Sequence, residues 1–293
     1  MYLPAKKIFI TTLILFTGTA GKLTYSMQEQ SQIQEKYNDK LLTGAESDDL
    51  QTVTDALSKK AYIETKGKWG FTPLRFACYF GHLEIAKYLI EQGAQVAAEP
   101  LISACANGHQ GIVEYLVEHG APINPQTTVE MPPLSMALSA KHLAIATYLL
   151  DKGANPNEES GYNQTPVLIA LRNGYFKFAK KLIGRGASIH QKGPETLMSF
   201  ACNADHLDMV AYLIAKGTPI QTRDLLSTSM TMTGKKIYSL LMATLHFEKL
   251  KNKEPVDQNE HQKILASLEL NPRFKDSLLM RPGLENTVLK TQE

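Results

Sequence analysis

GFTPLRFACYFGHLEIAKYLIEQGAQV, residues Gly70–Val96, holds a turn, two short helices and a second turn. Thr72 is placed to cap a helix, and Pro73 sits at its first position, where a missing N–H costs nothing. Leu74, Ala77 and Cys78 give that helix an apolar face and Gly81 ends it. Leu83, Ile85, Ala86, Leu89 and Ile90 supply a second helix at i, i+3, i+4 and i+7 spacings. Gly93 stops it, because a glycine just past a helix takes the left-handed conformation without steric penalty. Neither helix is long enough to be stable alone in water, so the unit needs neighbours.

The chain supplies them. Shifted by 33 positions, Leu41–Glu64 overlays the opening stretch: Leu41 falls on Leu74, Leu50 on Leu83, Leu57 on Ile90 and Ala61 on Ala94. Downstream, a closing dipeptide recurs as Gly93-Ala94, Gly120-Ala121, Gly153-Ala154, Gly186-Ala187 and Gly217-Thr218, at steps of 27, 33, 33 and 31 residues. In phase with it run Gly81-His82, Gly108-His109, Lys141-His142, Gly174-Tyr175 and Asp205-His206. Helix starts recur at Thr72-Pro73, Glu99-Pro100, Pro132-Pro133, Thr165-Pro166 and Thr196-Leu197. Three markers in one register define a repeat protein.

These residues resemble the ankyrin repeat, with its period of 33 and its T-P-L-H-x-A signature. The resemblance covers residues 41–221, a degenerate first repeat and five recognisable ones. It implies an all-α fold, an ankyrin-repeat solenoid of helix-turn-helix repeats. Two departures stand out. The signature histidine is replaced by Arg75, Ile102, Ser135, Leu168 and Ser199, which removes its hydrogen bonds to the turn. The first step is also six residues short, which truncates the hairpin before Pro100. Residues 222–293 read as a degenerate repeat and a helical C-terminal cap: Gly234 as a break, Ile237–Phe247 as a closing helix, and short helical patterns at Lys263–Leu270 and Phe274–Leu279.

The N-terminus reads as an address. Lys6 and Lys7 precede the apolar run Ile8–Phe16, and small residues follow to Ala20, the pattern of a secretory signal peptide over residues 1–20. An uncleaved anchor over residues 8–20 is the alternative, although the run is shorter than the roughly 20 residues a comfortable span needs. Residues 21–40 are expected to be a flexible lead-in. Without Lys6 and Lys7 the 31 basic residues become 29, against 29 acidic ones. That balance, with no Lys/Arg run, argues against an electrostatic binder of nucleic acid or anionic membrane.

Chemistry-bearing motifs are absent from the sequence. There is no Gly-rich phosphate loop, no H-E-x-x-H and no C-x-x-C. The resemblance makes His82, His109, His142 and His206 a structural column. His119 and His190 fall near turns without a partner at metal-ligand spacing, and His246 and His261 read as a solvated helical face beside Glu248, Glu254 and Glu260. No catalytic residue, metal or cofactor is expected. Cys78, Cys105 and Cys202 share one slot of the first helix; packed helices lie roughly 8–10 Å apart, whereas a disulfide needs Cα atoms within about 7 Å. All three are expected to be free core residues.

The resemblance implies that residues flanking the turn and ending the first helix face the concave side, where partners bind. In the first full repeat these are Trp69, Phe71, Tyr79 and Phe80; in the fourth they are Tyr162, Gln164, Arg172 and Asn173. Tryptophan and tyrosine are enriched at binding centres. The competing reading packs the aromatics over the short hairpin or under residues 28–40. The expected function is therefore non-enzymatic binding of another protein by a monomer, either as a secreted bacterial effector or as an envelope-resident partner that protects or tethers an enzyme. An enzyme with its active site in residues 222–293 is the alternative from another class.

Overall fold

Each hairpin is set by its ends. In the computed structural model, which describes residues 30–125, 131–160, 164–190, 196–228, 231–252, 254–255, 257, 259, 261–264, 266, 272–284 and 287–288, helix α3 spans Pro73–Phe80. The Thr72 side chain accepts a hydrogen bond from the Arg75 N–H at 3.3 Å, Pro73 opens the helix, and Gly81 closes it at φ 91°. Helix α4, Leu83–Glu91, runs back along it and buries Ile85, Ala86 and Leu89. The expectations for residues 1–20, and for the lead-in as far as residue 29, lie outside the described residues.

The described residues divide at Pro122 into two compact units. In the first, α1 (residues 30–46) and α2 (Leu50–Ser58) form the degenerate hairpin, α3 and α4 the next, and α5 (Ala98–Asn107) and α6 (Gln110–Glu118) the third. First helices stack on first helices and second on second: α3 packs on α5, α2 on α4 and α4 on α6. The short step is taken up between α4 and α5, where residues 92–97 are all that connect them, so α5 begins at Ala98 ahead of Pro100. Part of the expected lead-in is helix: α1 starts at residue 30. Its polar sequence is held by distant bonds, Gln34 Nε2 donating to Lys60 O at 2.7 Å and the Tyr62 N–H to Asn38 Oδ1 at 2.7 Å.

The second unit repeats the arrangement with α7 (Pro133–Ser139) and α8 (Leu143–Asp151), α9 (Pro166–Arg172) and α10 (Phe176–Gly184), then α11 (Leu197–Asn203) and α12 (Leu207–Ala215). Helix α7 packs on α9 and α9 on α11. Asparagines at one repeat position pin successive turns. Asn124 donates to Gly153 O at 3.1 Å and accepts from Asn155 N–H at 2.7 Å, and Asn157 does the same with Gly186 and Ser188 at 2.8 and 2.7 Å. Where the signature histidine is missing, Ser199 completes a reciprocal capping box with Thr196, and the buried Asp224 carboxylate accepts from the Thr196 hydroxyl at 2.6 Å.

Two further helices, α13 (Thr222–Leu226) and α14 (Met232–Lys251), follow α12. Gly234 is no break. It lies buried in the first turn of α14, its N–H satisfied by the Thr231 hydroxyl, so the helix runs through it. Both α14 and the Pro272–Leu279 helix pack on α12. Arg281, 5% exposed, fastens the tail: Nη1 donates to Ile214 O at 3.1 Å and Thr218 O at 3.0 Å, while Nε and Nη2 engage Glu248. Burying a guanidinium is tolerable only because every face of it finds an acceptor or a carboxylate.

The left-handed positions survive where glycine does not. Asp48 and Lys60 stand one repeat before Gly81 and Gly93 and keep φ at 59° and 66°; Lys141 and Asp205 keep the Gly81 column at 69° and 52°. Turn geometry outlasts turn chemistry, at a cost of roughly 1–2 kcal/mol per non-glycine residue.

Candidate functional site

The aromatic residues of the first full repeat form one surface. Gly67 to Phe71 make a tight reversal in which the Phe71 N–H donates to Lys68 O at 3.2 Å and the Gly67 N–H to Phe71 O at 2.9 Å. Trp69 (φ 59°, ψ 12°) and Gly70 (φ 70°) are both left-handed, as in a type I′ hairpin turn. The first of those positions ordinarily takes asparagine, aspartate or glycine; here it takes the chain's single tryptophan. The reversal is seated on α1 and α3: a Cβ at Gly67 would lie 3.0 Å from Leu42 Cδ1 and 3.2 Å from Phe76 Cε2.

Phe76, 2% exposed, anchors the cluster from below. Its ring lies 5.4 Å from Phe71, 6.1 Å from Trp69 and 6.4 Å from Phe80. Trp69 meets Phe71 edge-on at 5.6 Å, and Tyr79 meets Phe80 edge-on at 5.1 Å. Arg75, in the signature histidine's place, lays its guanidinium 4.1 Å from the Phe71 ring centroid and donates from Nε to Ser103 Oγ at 3.2 Å. The outer faces stay open: Trp69 is 68% exposed, Tyr79 37% and Phe80 38%. The rings are packed from one side and presented on the other, which separates them from a core cluster.

The fourth-repeat residues behave differently. Tyr162 lies outside the described residues. Gln164 is half-buried, and its carbonyl accepts from Ser160 N–H and Oγ. Arg172 is exposed above the Phe200 ring at 5.7 Å. Asn173 donates from Nδ2 to Leu138 O at 3.0 Å and so holds the end of α7. No aromatic surface comparable to the first is built by Gln164, Arg172 and Asn173.

The histidine column makes inter-repeat bonds. His82 Nε2 lies 3.0 Å from Glu46 O and His109 Nε2 3.1 Å from Tyr79 O, each imidazole reaching a carbonyl in the last turn of the preceding first helix. A side chain at Gly81 would strike the His109 ring at 2.5 Å, which fixes glycine there beyond the need for positive φ. His206 lies against Phe176, tilted by 36° with the ring centroids 3.9 Å apart, and accepts from the Met209 N–H at 3.1 Å. His246 departs from expectation. It is 3% exposed and its Nε2 lies 2.7 Å from His261 Nδ1, because the residues around 261 fold back onto α14. Among the described residues, no group of three or more His, Cys, Asp or Glu side chains is arranged to hold a metal ion.

The three cysteines are free and buried. Burial pushes the Cys78 and Cys105 thiols well above their ordinary value and Cys202 up to about 12. Among the described residues no helix is long and apolar enough to cross a membrane.

A family model described as ankyrin repeats (three copies) matches residues 41–127 and 122–193. Ankyrin repeat domain-containing protein 49 of Homo sapiens is 43% identical over 77 residues, which cover 24% of this chain and 32% of that protein. Its Bos taurus counterpart is 40% identical over 77 residues with the same coverage. The chain thus spans about a third of the length of the curated relatives it matches. With the matched residues making up more than half of the sequence and coinciding with the stacked hairpins, the chain belongs to the ankyrin-repeat family, whose repeats generally mediate protein–protein interaction.

Proposed function

We propose that the chain is a non-enzymatic binding module that engages a partner protein through Trp69, Phe71, Tyr79 and Phe80. One observation carries this reading. The sole tryptophan is held 68% exposed at a left-handed position it disfavours, beside two more exposed rings. Backbone strain of about 1–3 kcal/mol persists where surrounding structure over-determines it, and it clusters at functional sites. Large rigid aromatics give contact area at small entropic cost, which is why they dominate binding hot spots. The near-neutral charge favours a protein partner over nucleic acid.

The same reading has the chain act as a monomer after export, its first 20 residues serving as a signal peptide on the strength of Lys6, Lys7 and the apolar run that follows. A secreted bacterial factor that meets a host protein accords with that address. Paired affinity enrichment with the wild-type chain and a Trp69→Ala/Tyr79→Ala variant, read by mass spectrometry, tests the proposal. A partner retained by the first and lost by the second supports it. Identical retained proteins would refute the assignment of the surface.

A further inference from the structure

The second unit carries a different surface on its second helices. Helices α8 and α10, one repeat apart, leave between them an open groove of about 560 Å³. Leu143, Phe176 and Phe178 give it an apolar lining, and Lys177, Lys181 and His206 line it as well. Beside it, Asp151 receives Lys181 Nζ at 3.0 Å and Arg185 Nη2 at 2.9 Å.

Its charge is one-sided. Helix α10 reads FKFAKKLIG with Arg185 as its C-cap: Lys177, Lys180, Lys181 and Arg185, and no acidic residue. None of the groove-lining residues is a carboxylate. Asp151 pairs with Lys181, whereas Lys177, one turn away, is exposed with no carboxylate partner among the described residues. An apolar trough between two helices, rimmed by an uncompensated cation, suits an amphipathic helix that lays its apolar face into the trough and carries carboxylates at its margin.

We propose that this groove is a second docking site, which takes an acidic amphipathic helix of a partner protein. Its location in the second unit sets it apart from the aromatic surface of the first. Side chains at i and i+3 or i+4 of the incoming helix would fill the space over Leu143 and Phe176, and a glutamate at the flank would pair with Lys177.

Fluorescence anisotropy with the full chain tests this, using a fluorescein-labelled amphipathic peptide of leucine and glutamate at helical spacing and its lysine counterpart. The glutamate peptide should bind, and its affinity should fall as salt is raised. Lys177→Glu should weaken binding at least tenfold, and so should Leu143→Glu, whose new carboxylate at the start of α8 suits the helix dipole and leaves folding intact. Lys236→Glu on exposed α14 should change nothing. Failure of the glutamate peptide to bind, equal binding of the lysine peptide, or indifference to Lys177→Glu would overturn the proposal. Binding to phosphatidylserine vesicles that is lost in Lys177→Glu while the peptide stays unbound would overturn it in favour of a lipid surface.

Discussion

Replacing Trp69 by asparagine separates a presented ring from a packing ring. Trp69 sits at φ 59°, where a bulky L-residue costs roughly 1–2 kcal/mol and asparagine less, so the substitution recovers about 1 kcal/mol. Against this stands lost contact. A fully buried aromatic covers about 150–250 Å². With 68% of Trp69 exposed, about a third of that is covered, on the order of 50–80 Å². At about 25 cal/mol per Å² the loss is about 1–2 kcal/mol. The two effects nearly cancel, and the net change in stability should be within about 1 kcal/mol of zero. Phe76→Ala provides the contrast: at 2% exposure, truncating that ring should cost about 3–5 kcal/mol. At about 2–4 °C per kcal/mol for a chain segment of this size, thermal melts followed by circular dichroism should show Trp69→Asn within about 4 °C of wild type and Phe76→Ala lower by about 10 °C. Partner affinity should fall by at least about 2 kcal/mol in Trp69→Asn, the usual hot-spot threshold. A Trp69→Asn melt as depressed as that of Phe76→Ala would instead make the ring a structural lid on the hairpin.

Leu149→Ala, at a fully buried position of α8, should cost about 2–5 kcal/mol and raise hydrogen exchange first in its own hairpin and in the α9–α10 hairpin that follows it in the second unit, because a repeat stack couples nearest neighbours; exchange confined to α8 alone would contradict that coupling. Arg281→Ala should leave the half-buried Glu248 and the Ile214 and Thr218 carbonyls without their partner and cost about 1–3 kcal/mol, releasing the tail so that limited proteolysis cuts beyond Lys251; an uncut tail would show that Arg281 is not its fastening. The hydrogen bond from Lys181, with Arg185 beside it, holds the Asp151 carboxyl below its ordinary 3.8. Since its folded pKa is depressed, the α8–α10 link is complete above 3.8 and weakens as pH falls through the lower folded value, so an NMR titration of Asp151 with a midpoint at or above 3.8 would contradict the ion pair. The three thiols should resist Ellman's reagent in the folded chain and all react on denaturation without reductant, whereas fewer than three would reveal a disulfide.

The repeat was legible because its period is written in residues with local physical meaning. Thr72 and Pro73 start a helix, Gly81 and Gly93 end two, and the apolar spacing between them has only one helical solution. The left-handed turns at Asp48, Lys60, Lys141 and Asp205 were not legible as such, since their conformation is imposed by the neighbouring repeats rather than by the side chain. Helix α1 was hidden for a related reason: Ile33 and Tyr37 are the only large apolar side chains in residues 30–40, a thin signal among polar residues, and the bonds of Gln34 and Asn38 that stabilise the helix reach residues more than twenty positions away. Trp69, Phe71, Tyr79 and Phe80 form one cluster of rings. Nothing in composition announced the positive φ of Trp69 or Phe76 as the cluster's anchor. His246 was misread as solvated because α14 shows no clean polar face, and only the return of the chain near His261 buries it. The groove over Leu143 and Phe176 belongs to two helices one repeat apart, so it exists only once they are stacked.

If Trp69 lies at the partner interface, its own resonance must respond to the partner. Since it is the only tryptophan, growth on 5-fluorotryptophan gives the chain a single ¹⁹F resonance at that position. Titration with a partner retained by the wild-type chain should move or broaden that resonance to saturation, with a midpoint matching the dissociation constant from calorimetry. A partner that binds by calorimetry while the ¹⁹F signal stays unmoved would place the interface elsewhere on the chain.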